Sequence, residues 1–323
     1  MKIAVTGANG FIGSNLTALL AAQGHEVVAV VRSGADLDLL SPHATTHPVD
    51  YDQMESIIAA LDGCHAVIHN AGITRTRTHS EMLAVNAGLT HKIVQAANHI
   101  PALQRFVLFS SQAASRPSLD GESVTESDPE APITWYGKSK LLAERIVKRD
   151  CAKPWTIIRP VSVYGRGDRD FLAMFRAANK GIALKIGSKD RRLNLIHITE
   201  LAEFTHLVLS APTAKNQTFF ASDGEVYTQS LISHAIAEVS GHRSIQITVP
   251  ELIAKAAFTI GSVVPPGSGK AGVLNRQKML EIMAPNWLCS IEKARQILGW
   301  DPKPNLKDNL KDTLVWYRAH GWL

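Results

Sequence analysis

Short apolar runs alternate with stretches of helical periodicity through the first half of the chain. The runs are Ile3–Val5, Val27–Val31, Ala66–His69, Phe106–Phe109 and Thr156–Arg159. Between them lie Ile12–Gln23, Met54–Leu61, Ser80–His99 and Tyr136–Cys151. Strands covered on both faces read as unbroken apolar runs, and helical crossovers keep such strands parallel. The pattern predicts an α/β fold: a doubly wound parallel sheet with helices on both faces.

After Pro160 the alternation gives way to loops rich in glycine and charge, Gly165–Arg169 and Gly187–Arg192, separated by short helices. The last third reads as mainly helical over Leu252–Val264, Leu274–Met283, Ile291–Leu298 and Leu306–His320. Two regions are expected. Residues 1–165 build the sheet, with the chain returning to it near 193–222, and residues 166–323 form a smaller, mainly helical part. That part is expected to cover the carboxyl edge of the sheet, where open α/β sheets bind ligands.

Composition narrows the function classes. The 323 residues are 45% hydrophobic and 20% charged, which excludes a disordered chain. The net charge is +5, and the basic residues read as spread along the chain, so nucleic-acid binding is not expected. Cys64, Cys151 and Cys289 have no metal-ligand spacing and read as free thiols of a reducing cytoplasm. The strand-like Lys2–Thr6 leaves no room for a signal peptide, so a cytoplasmic protein is expected. Leu252–Val264 contains Lys255, ends at Pro265-Pro266 and is too short to span a bilayer; it reads as a core or lid helix, with contact with a membrane surface as the alternative.

The first chemical motif is Thr6-Gly7-Ala8-Asn9-Gly10-Phe11-Ile12-Gly13, lying between the first strand and the first helix. Gly7 permits a tight turn, Gly10 lets backbone approach a pyrophosphate, and Gly13 lets the helix pack closely on the strand. The phosphates would sit on the positive end of that helix. The strand before this loop and the amphipathic helix after it predict a Rossmann-type dinucleotide site, and together with the second motif below they imply a nicotinamide cofactor. The second strand ends in Arg32-Ser33 rather than an acid, which favours NADP through the 2′-phosphate; Asp36 and Asp38 lie just beyond and keep NAD open. Asp50 is expected at the adenine amine with Tyr51 beside the ring, and Asp52 as the N-cap of the next helix. Asn70, Ala71 and Gly72, small residues after His69, suit a closely crossing ribose.

The second motif is Tyr136-Gly137-Lys138-Ser139-Lys140, which puts a phenol and an ammonium on one helix face. The ammonium is expected to lower the phenol pKa, making Tyr136 a proton donor to a carbonyl as hydride arrives, while Lys140 also bonds the nicotinamide ribose. Ser110-Ser111 end the strand Phe106–Phe109 at the carboxyl edge, where a hydroxyl can hold the substrate oxygen.

With both motifs in place, the chain resembles the extended, epimerase/dehydratase-like branch of the short-chain dehydrogenase/reductase superfamily over nearly its whole length. The resemblance also rests on Asp50, Phe109-Ser110-Ser111, Arg159-Pro160-x-x-Val163-Tyr164-Gly165, Ile196-His197-Ile198 and Ala294-Arg295-x-x-Leu298-Gly299-Trp300-x-Pro302. It implies Ser111, Tyr136 and Lys140 as the catalytic set. It also implies a nicotinamide lined by backbone after Arg159, including Pro160 and Val163, and a homodimer paired through the helices over Ser80–His99 and Tyr136–Cys151.

Two departures separate the chain from the nucleotide-sugar members of that branch. Those usually follow the serines with Val-Tyr-Gly, where this chain has Ala114-Ser115-Arg116. Many also carry an Arg-Asp-Phe run with a diphosphate-gripping Arg, where this chain has Leu193, with Arg192 and Arg191 one and two residues earlier. Both departures are similar to the hydroxysteroid-dehydrogenase and dihydroflavonol-reductase side.

The expected function is an NAD(P)-dependent oxidoreductase interconverting a secondary alcohol and a ketone on a small, fairly apolar substrate. The alternatives are a nucleotide-sugar epimerase or dehydratase with tightly bound NAD, and a non-enzymatic cofactor-binding sensor or scaffold. Three other patterns are set aside. Pro266–Ala271 lacks the first glycine and the hydroxyl of a P-loop. His65 and His69 flank a strand with no further ligand, so no metal is expected. Arg75-x-Arg77-x-His79 reads as a solvated loop, with attraction of an acidic substrate group as the alternative.

Overall fold

The structure, a computed structural model, describes residues 1–263 and 275–323. The P-loop-like stretch Pro266–Ala271 lies outside the described residues, as do the Val264 and Leu274 ends of two expected helices. β1 (Lys2–Thr6) leads through the glycine loop into α1 (Phe11–Ala22). β2 (Glu26–Arg32), β3 (Thr45–Val49), α2 (Met54–Leu61) and β4 (Ala66–His69) follow. A composite helix comes next: α3 (His79–Leu83), a π-helical turn at Ala84–Gly88, and α4 (Leu89–Asn98). β5 (Arg105–Phe109), α5 (Trp135–Asp150) and β6 (Trp155–Pro160) complete the alternation.

The later chain is more finely divided than its composition suggested. It runs through β7 (Ser162–Tyr164), α6 (Leu172–Ala178), β8 (Ile182–Ile186), β9 (Arg192–Leu193), β10 (Leu195–His197) and α7 (Ile198–Ser210). Then come β11 (Gln217–Ala221), β12 (Tyr227–Thr228), α8 (Gln229–Val239), β13 (Ile245–Val249), α9 (Glu251–Val263), α10 (Arg276–Met283), α11 (Glu292–Leu298) and α12 (Leu306–Ala319). Three two-stranded sheets, β10–β7, β12–β9 and β13–β8, were not anticipated. Two- and three-residue strands carry too few positions for a readable period.

Seven parallel strands form the main sheet in the order β11-β6-β5-β4-β1-β2-β3. The alternation of side chains sorts the core. Ile3 and Val5 face one side with Leu16, Leu20, Leu201 and Phe204, whereas Ala4, Val28 and Val30 face the other with Ile57, Ile93 and Val147. Helices thus seal both faces, and the strand order reverses between β1 and β4. Thr6 and His69 are register partners at that switch, which opens a crevice beyond the carboxyl ends. A further cluster, including Tyr164, Phe175, Ile236, Leu314 and Tyr317, joins α6, α8 and α12. The C-terminal motif folds back onto the first core: Trp300 stands edge-on to Phe204 at 5.1 Å and donates to the Ser222 carbonyl at 3.1 Å.

One buried ion pair locks α5 to the sheet. Glu144 is fully buried on α5 and accepts from Arg159 of β6 through Nε at 2.8 Å and Nη2 at 2.7 Å. Arg159 has a second carboxylate, Glu130, at 3.3 Å. Removing one partner of such a pair strands the other charge in low dielectric. Glu144→Ala should therefore cost about 3–5 kcal/mol. Urea denaturation with the wild type alongside checks this, and an unchanged midpoint would contradict it.

Candidate active site

The glycine loop closes on itself through short contacts. Gly7 adopts φ +66°, and a Cβ there would lie 2.8 Å from Ala71 Cα. At Gly13 a Cβ would lie 2.1 Å from the Gly7 carbonyl oxygen, so only glycine lets α1 start this close to the turn. Gly10 caps α1 with no side-chain bond, the first turn carries no acid, and the space beside Gly10 is open except toward the Gly7 oxygen. That leaves the positive end of α1 fit for the phosphates of a dinucleotide. The side chains of Phe11 and Ile12 pack toward the core, leaving their backbone to the loop.

The adenosine-side residues gather around the ends of β2 and β3. Arg32 is exposed at the last position of β2, in register with Val49, and its charge acts on Tyr51. Burial pushes the Tyr51 phenol up to about 12, with Arg32 opposing. Asn9 Nδ2 donates to the Asp36 carbonyl at 2.9 Å, which ties the loop after β2 to the glycine loop. Asp50 is exposed, with its carboxylate accepting from the Asp52 amide at 2.9 Å. Asp52 is not the N-cap of α2, as expected. That position falls to Gln53, which makes no side-chain cap bond, while Asp52 pairs with Lys92 at 2.7 Å. The helix starts at Met54, one residue later than that cap required, which leaves Asp52 outside the cap position.

The crevice floor is a hydrogen-bonded chain. The Ala71 amide donates to Thr6 Oγ1 at 3.1 Å, and Thr6 Oγ1 meets His69 Nδ1 at 2.8 Å. His69 Nε2 meets Thr90 Oγ1 at 3.0 Å, and Thr90 donates to the Asn86 carbonyl at 2.6 Å. Burial holds His69 down to about 3, so the ring is neutral and serves as a spacer between hydroxyls. Asn86 lies in the π-helical turn. Its side chain accepts from the Ile73 amide at 2.8 Å and donates to the Ile73 carbonyl and to Ser139, both at 2.9 Å. It thereby fastens the segment after Gly72 to α5. Asn70 reaches the Gly7 carbonyl at 3.5 Å. Pro160 is buried in register with Ala221, and Val163 is half-buried on β7.

Ser111, Tyr136 and Lys140 come together at the carboxyl end of β5. Ser111 caps a 3-10 turn, Gln112–Ala114, and is hydrogen-bonded to Tyr136. Thr134 caps α5 by accepting from the Gly137 amide at 3.0 Å. A Cβ on Gly137 would lie 2.0 Å from the Ala113 carbonyl, so this glycine sets how closely Tyr136 approaches Ser111. Lys140 is buried and donates from Nζ to the Phe109 carbonyl at 2.5 Å. Ser110 donates to Glu144 Oε1 at 2.5 Å. Tyr136, Lys140 and Glu144 therefore form one stripe along α5.

Electrostatics corrects one expectation. The phenol of Tyr136 is not lowered but pushed up to about 12: burial dominates, the Ser111 bond opposes it, and the Glu281 carboxylate on α10 adds to it. The Lys140 ammonium is spent on Phe109 and is itself pushed down to about 8 by burial, against the pull of Glu144.

Asn86, Gly137 and Glu144 were missed from the sequence. Glu144 continues the four-residue spacing of Tyr136 and Lys140 and could have been found. Asn86 gave no signal, because a π turn shifts the helical phase. Two of the basic candidates elsewhere are engaged, Arg191 with Glu251 at 2.7 Å and Arg75 with Asp170, whereas Arg77 and Arg192 make no ion pair among the described residues. Leu193 packs on the C-terminal core cluster. Among the described residues no group of acids, histidines and cysteines is placed to hold a metal.

Residues 3–221 match the family model described as the NAD dependent epimerase/dehydratase family. The chain belongs to this family, within the extended short-chain dehydrogenases/reductases. As a member of the NAD-dependent epimerase/dehydratase family it is an enzyme of the dehydrogenase/epimerase type. It is 28% identical to a ceramide reductase of Caulobacter vibrioides, covering 99% of this chain and 96% of that one. It is likewise 28% identical to a 3-beta-hydroxysteroid dehydrogenase of Mycolicibacterium neoaurum, covering 98% and 91%. In fold it is similar to the crystal structure of a UDP-glucose 4-epimerase from Thermotoga maritima, with a TM-score of 0.79, 19% identity and 99% of both chains covered.

Two measurements test the site. A Cβ at Gly137 must displace α5 from Ser111, so Gly137→Ala should lower turnover about a hundredfold; wild-type turnover would contradict the packing argument. The Lys140 ammonium predominates below about pH 8. If its charge is used, kcat/KM for reduction falls as pH rises through that value, and Lys140→Arg loses the falling limb. An identical limb in both proteins would contradict the assignment.

Proposed function

We propose that this chain is an NAD(P)-dependent oxidoreductase that interconverts a secondary alcohol and a ketone on a small, fairly apolar substrate. The observation that carries the proposal is the hydrogen-bonded Ser111–Tyr136 pair with Lys140 one turn on, beside a glycine loop shaped for phosphates. The named substrates of the two 28%-identical relatives, a ceramide and a steroid, support the apolar class. In this reading residues 1–165, with the return near 193–222, hold the dinucleotide, and residues 166–323 mainly shape the substrate pocket.

A bound nicotinamide dinucleotide supplies the hydride donor or acceptor. Gly7, Asn9, Gly10, Phe11, Ile12 and Gly13 hold its pyrophosphate, and Arg32, Asp50 and Tyr51 hold the adenosine end. Asn70, Ala71, Gly72, Pro160, Val163 and Lys140 hold the nicotinamide end. Ser111 orients the substrate oxygen. Tyr136, whose high pKa keeps the phenol protonated through the neutral range, gives its proton to that oxygen in reduction and takes it back in oxidation. Lys140 places a positive charge on the same helix face and steadies the developing phenolate. NADP is preferred over NAD because Arg32, at the end of β2, offers a charge-assisted bond to a 2′-phosphate.

The second reading, a nucleotide-sugar epimerase, is favoured by the likeness in fold to the Thermotoga enzyme. It needs a diphosphate grip, for which the matching position here is Leu193; Arg191, two residues earlier, is committed to Glu251, whereas the adjacent Arg192 makes no ion pair among the described residues.

Purified protein offered NADPH and a panel of hydrophobic ketones should oxidise NADPH. Turnover of nucleotide sugars without net cofactor change would instead support the epimerase. Tyr136→Phe should slow turnover by about a hundred- to ten-thousand-fold with cofactor affinity nearly intact; undiminished activity would remove Tyr136 from the mechanism. Arg32→Ala should weaken NADPH binding far more than NADH binding, as titrated by fluorescence, and equal losses would reverse the cofactor preference.

A further inference from the structure

The pairing of β8 with β13 builds an apolar face that is left largely exposed among the described residues. Parallel register places Ile182 beside Ile245, Leu184 beside Ile247 and Ile186 beside Val249, so six aliphatic side chains share one side of this small sheet. The opposite side carries the buried Ala183, and α8 packs there, with Ser233 bonding the Leu184 carbonyl. On the aliphatic side Ile245 is 76% exposed, and Leu184 and Ile247 are also exposed. The first turn of α9 continues the surface, with Leu252 79% and Ile253 59% exposed. Scattered exposed aliphatics are ordinary, but a contiguous set marks an interaction surface.

The same segments gather the charge of the whole protein. Residues 180–192 and 242–259 contain seven Lys and Arg against two acids, whereas the entire chain is only +5. Basic residues that read as dispersed in the sequence are thus brought together by the β8–β13 pairing. Both acids are engaged: Glu251 pairs with Arg191, and Asp190 accepts from the Ser230 amide. Lys180, Lys189, Arg243 and Lys255 are exposed and have no ion-pair partner among the described residues. An apolar face flanked by free cations complements an anionic lipid surface. Apolar side chains enter the boundary of the acyl chains, and each nearby cation strengthens binding about fivefold.

The surface also adjoins the candidate site. Arg191 holds the start of α9 through Glu251 and touches Met283 of α10 at 3.9 Å. At its other end α10 accepts from the Trp135 amide through Gln277 at 2.7 Å, next to Tyr136. No helix of the described residues is long and apolar enough to cross a membrane, so the attachment is peripheral.

We propose that the face made by β8, β13 and the first turn of α9 docks on an anionic phospholipid bilayer and opens the site to a membrane-dissolved substrate. The substrate half of this statement rests on the ketone–alcohol reading above; the docking half does not. Flotation of the full chain with phosphatidylglycerol–phosphatidylcholine vesicles tests it. The protein should float with these vesicles, much less with phosphatidylcholine alone, and less as salt is raised. Ile245→Ser combined with Leu252→Ser should reduce the bound fraction about tenfold. Failure to float, or equal flotation of the double variant, overturns the proposal. So does a lipid-free wild type that sediments as a larger species which the double variant splits into monomers, since the face then joins two copies. Unchanged turnover of a short water-soluble ketone by the double variant shows that loss of flotation is not loss of fold. If no ketone is reduced while flotation still depends on Ile245 and Leu252, the functional reading fails and the docking stands.

Discussion

The carboxylate of Glu144, fully buried on α5, is the constraint on which the site depends. An ion in that position is tolerable only when its lone pairs are filled, and they are filled by two nitrogens of Arg159 and the hydroxyl of Ser110. Those partners come from the ends of two adjacent strands. Satisfying one charge therefore fixes the rotation and height of α5 against the carboxyl edge of the sheet. Lys140 and Tyr136 lie one and two turns back along the same helix face, and Ser111 follows Ser110 directly. The contact between Gly137 and the Ala113 carbonyl completes the restraint at the near end of the helix. Ser111, Tyr136 and Lys140 are thus held by a buried electrostatic joint rather than by their own mutual attraction.

A second joint works from the cofactor side. The chain of bonds from Ala71 through Thr6, His69 and Thr90 to Asn86 links the switch point of the sheet to Ser139 on α5. Burial keeps His69 neutral, so between the two hydroxyls one ring nitrogen donates and the other accepts. The glycine loop and the Ser111–Tyr136 pair are therefore two ends of one framework, which the proposed hydride and proton transfer would use.

Much of this was legible in the sequence because it follows from local chemistry. Strands covered on both faces had to be continuous apolar runs, and the five read from the pattern lie within the observed strands. Gly7 and Gly13 announced a turn and a close approach, and both are crowded as expected. What escaped notice depends on distant partners. The π turn at Ala84–Gly88 accompanies the bonds that Asn86 makes to Ile73 and Ser139, and helical periodicity does not encode them. Gln53 takes the cap position expected for Asp52, which pairs instead with the distant Lys92. The rise of the Tyr136 pKa reflects burial and the later-chain Glu281, neither visible in the Tyr–Lys spacing. The pairing of β8 with β13, which turns scattered lysines into a charged apolar face, joins segments some sixty residues apart.

The framework serves net oxidation–reduction and internal epimerisation alike, so the substrate side has to decide between them. Leu193 at the expected diphosphate grip and Arg191 bound to Glu251 support the proposed apolar substrate over a nucleotide sugar, while Arg192 next to Leu193 is the residue on which the alternative would rely. The central claim is that hydride leaves the cofactor for good. It is tested most directly by supplying NADPH deuterated at the transferring position of C4 with a hydrophobic ketone and locating the label by mass spectrometry. The account predicts one deuterium on the carbinol carbon of the product alcohol. Deuterium retained in the cofactor, while a nucleotide sugar is inverted in the same preparation, would contradict it.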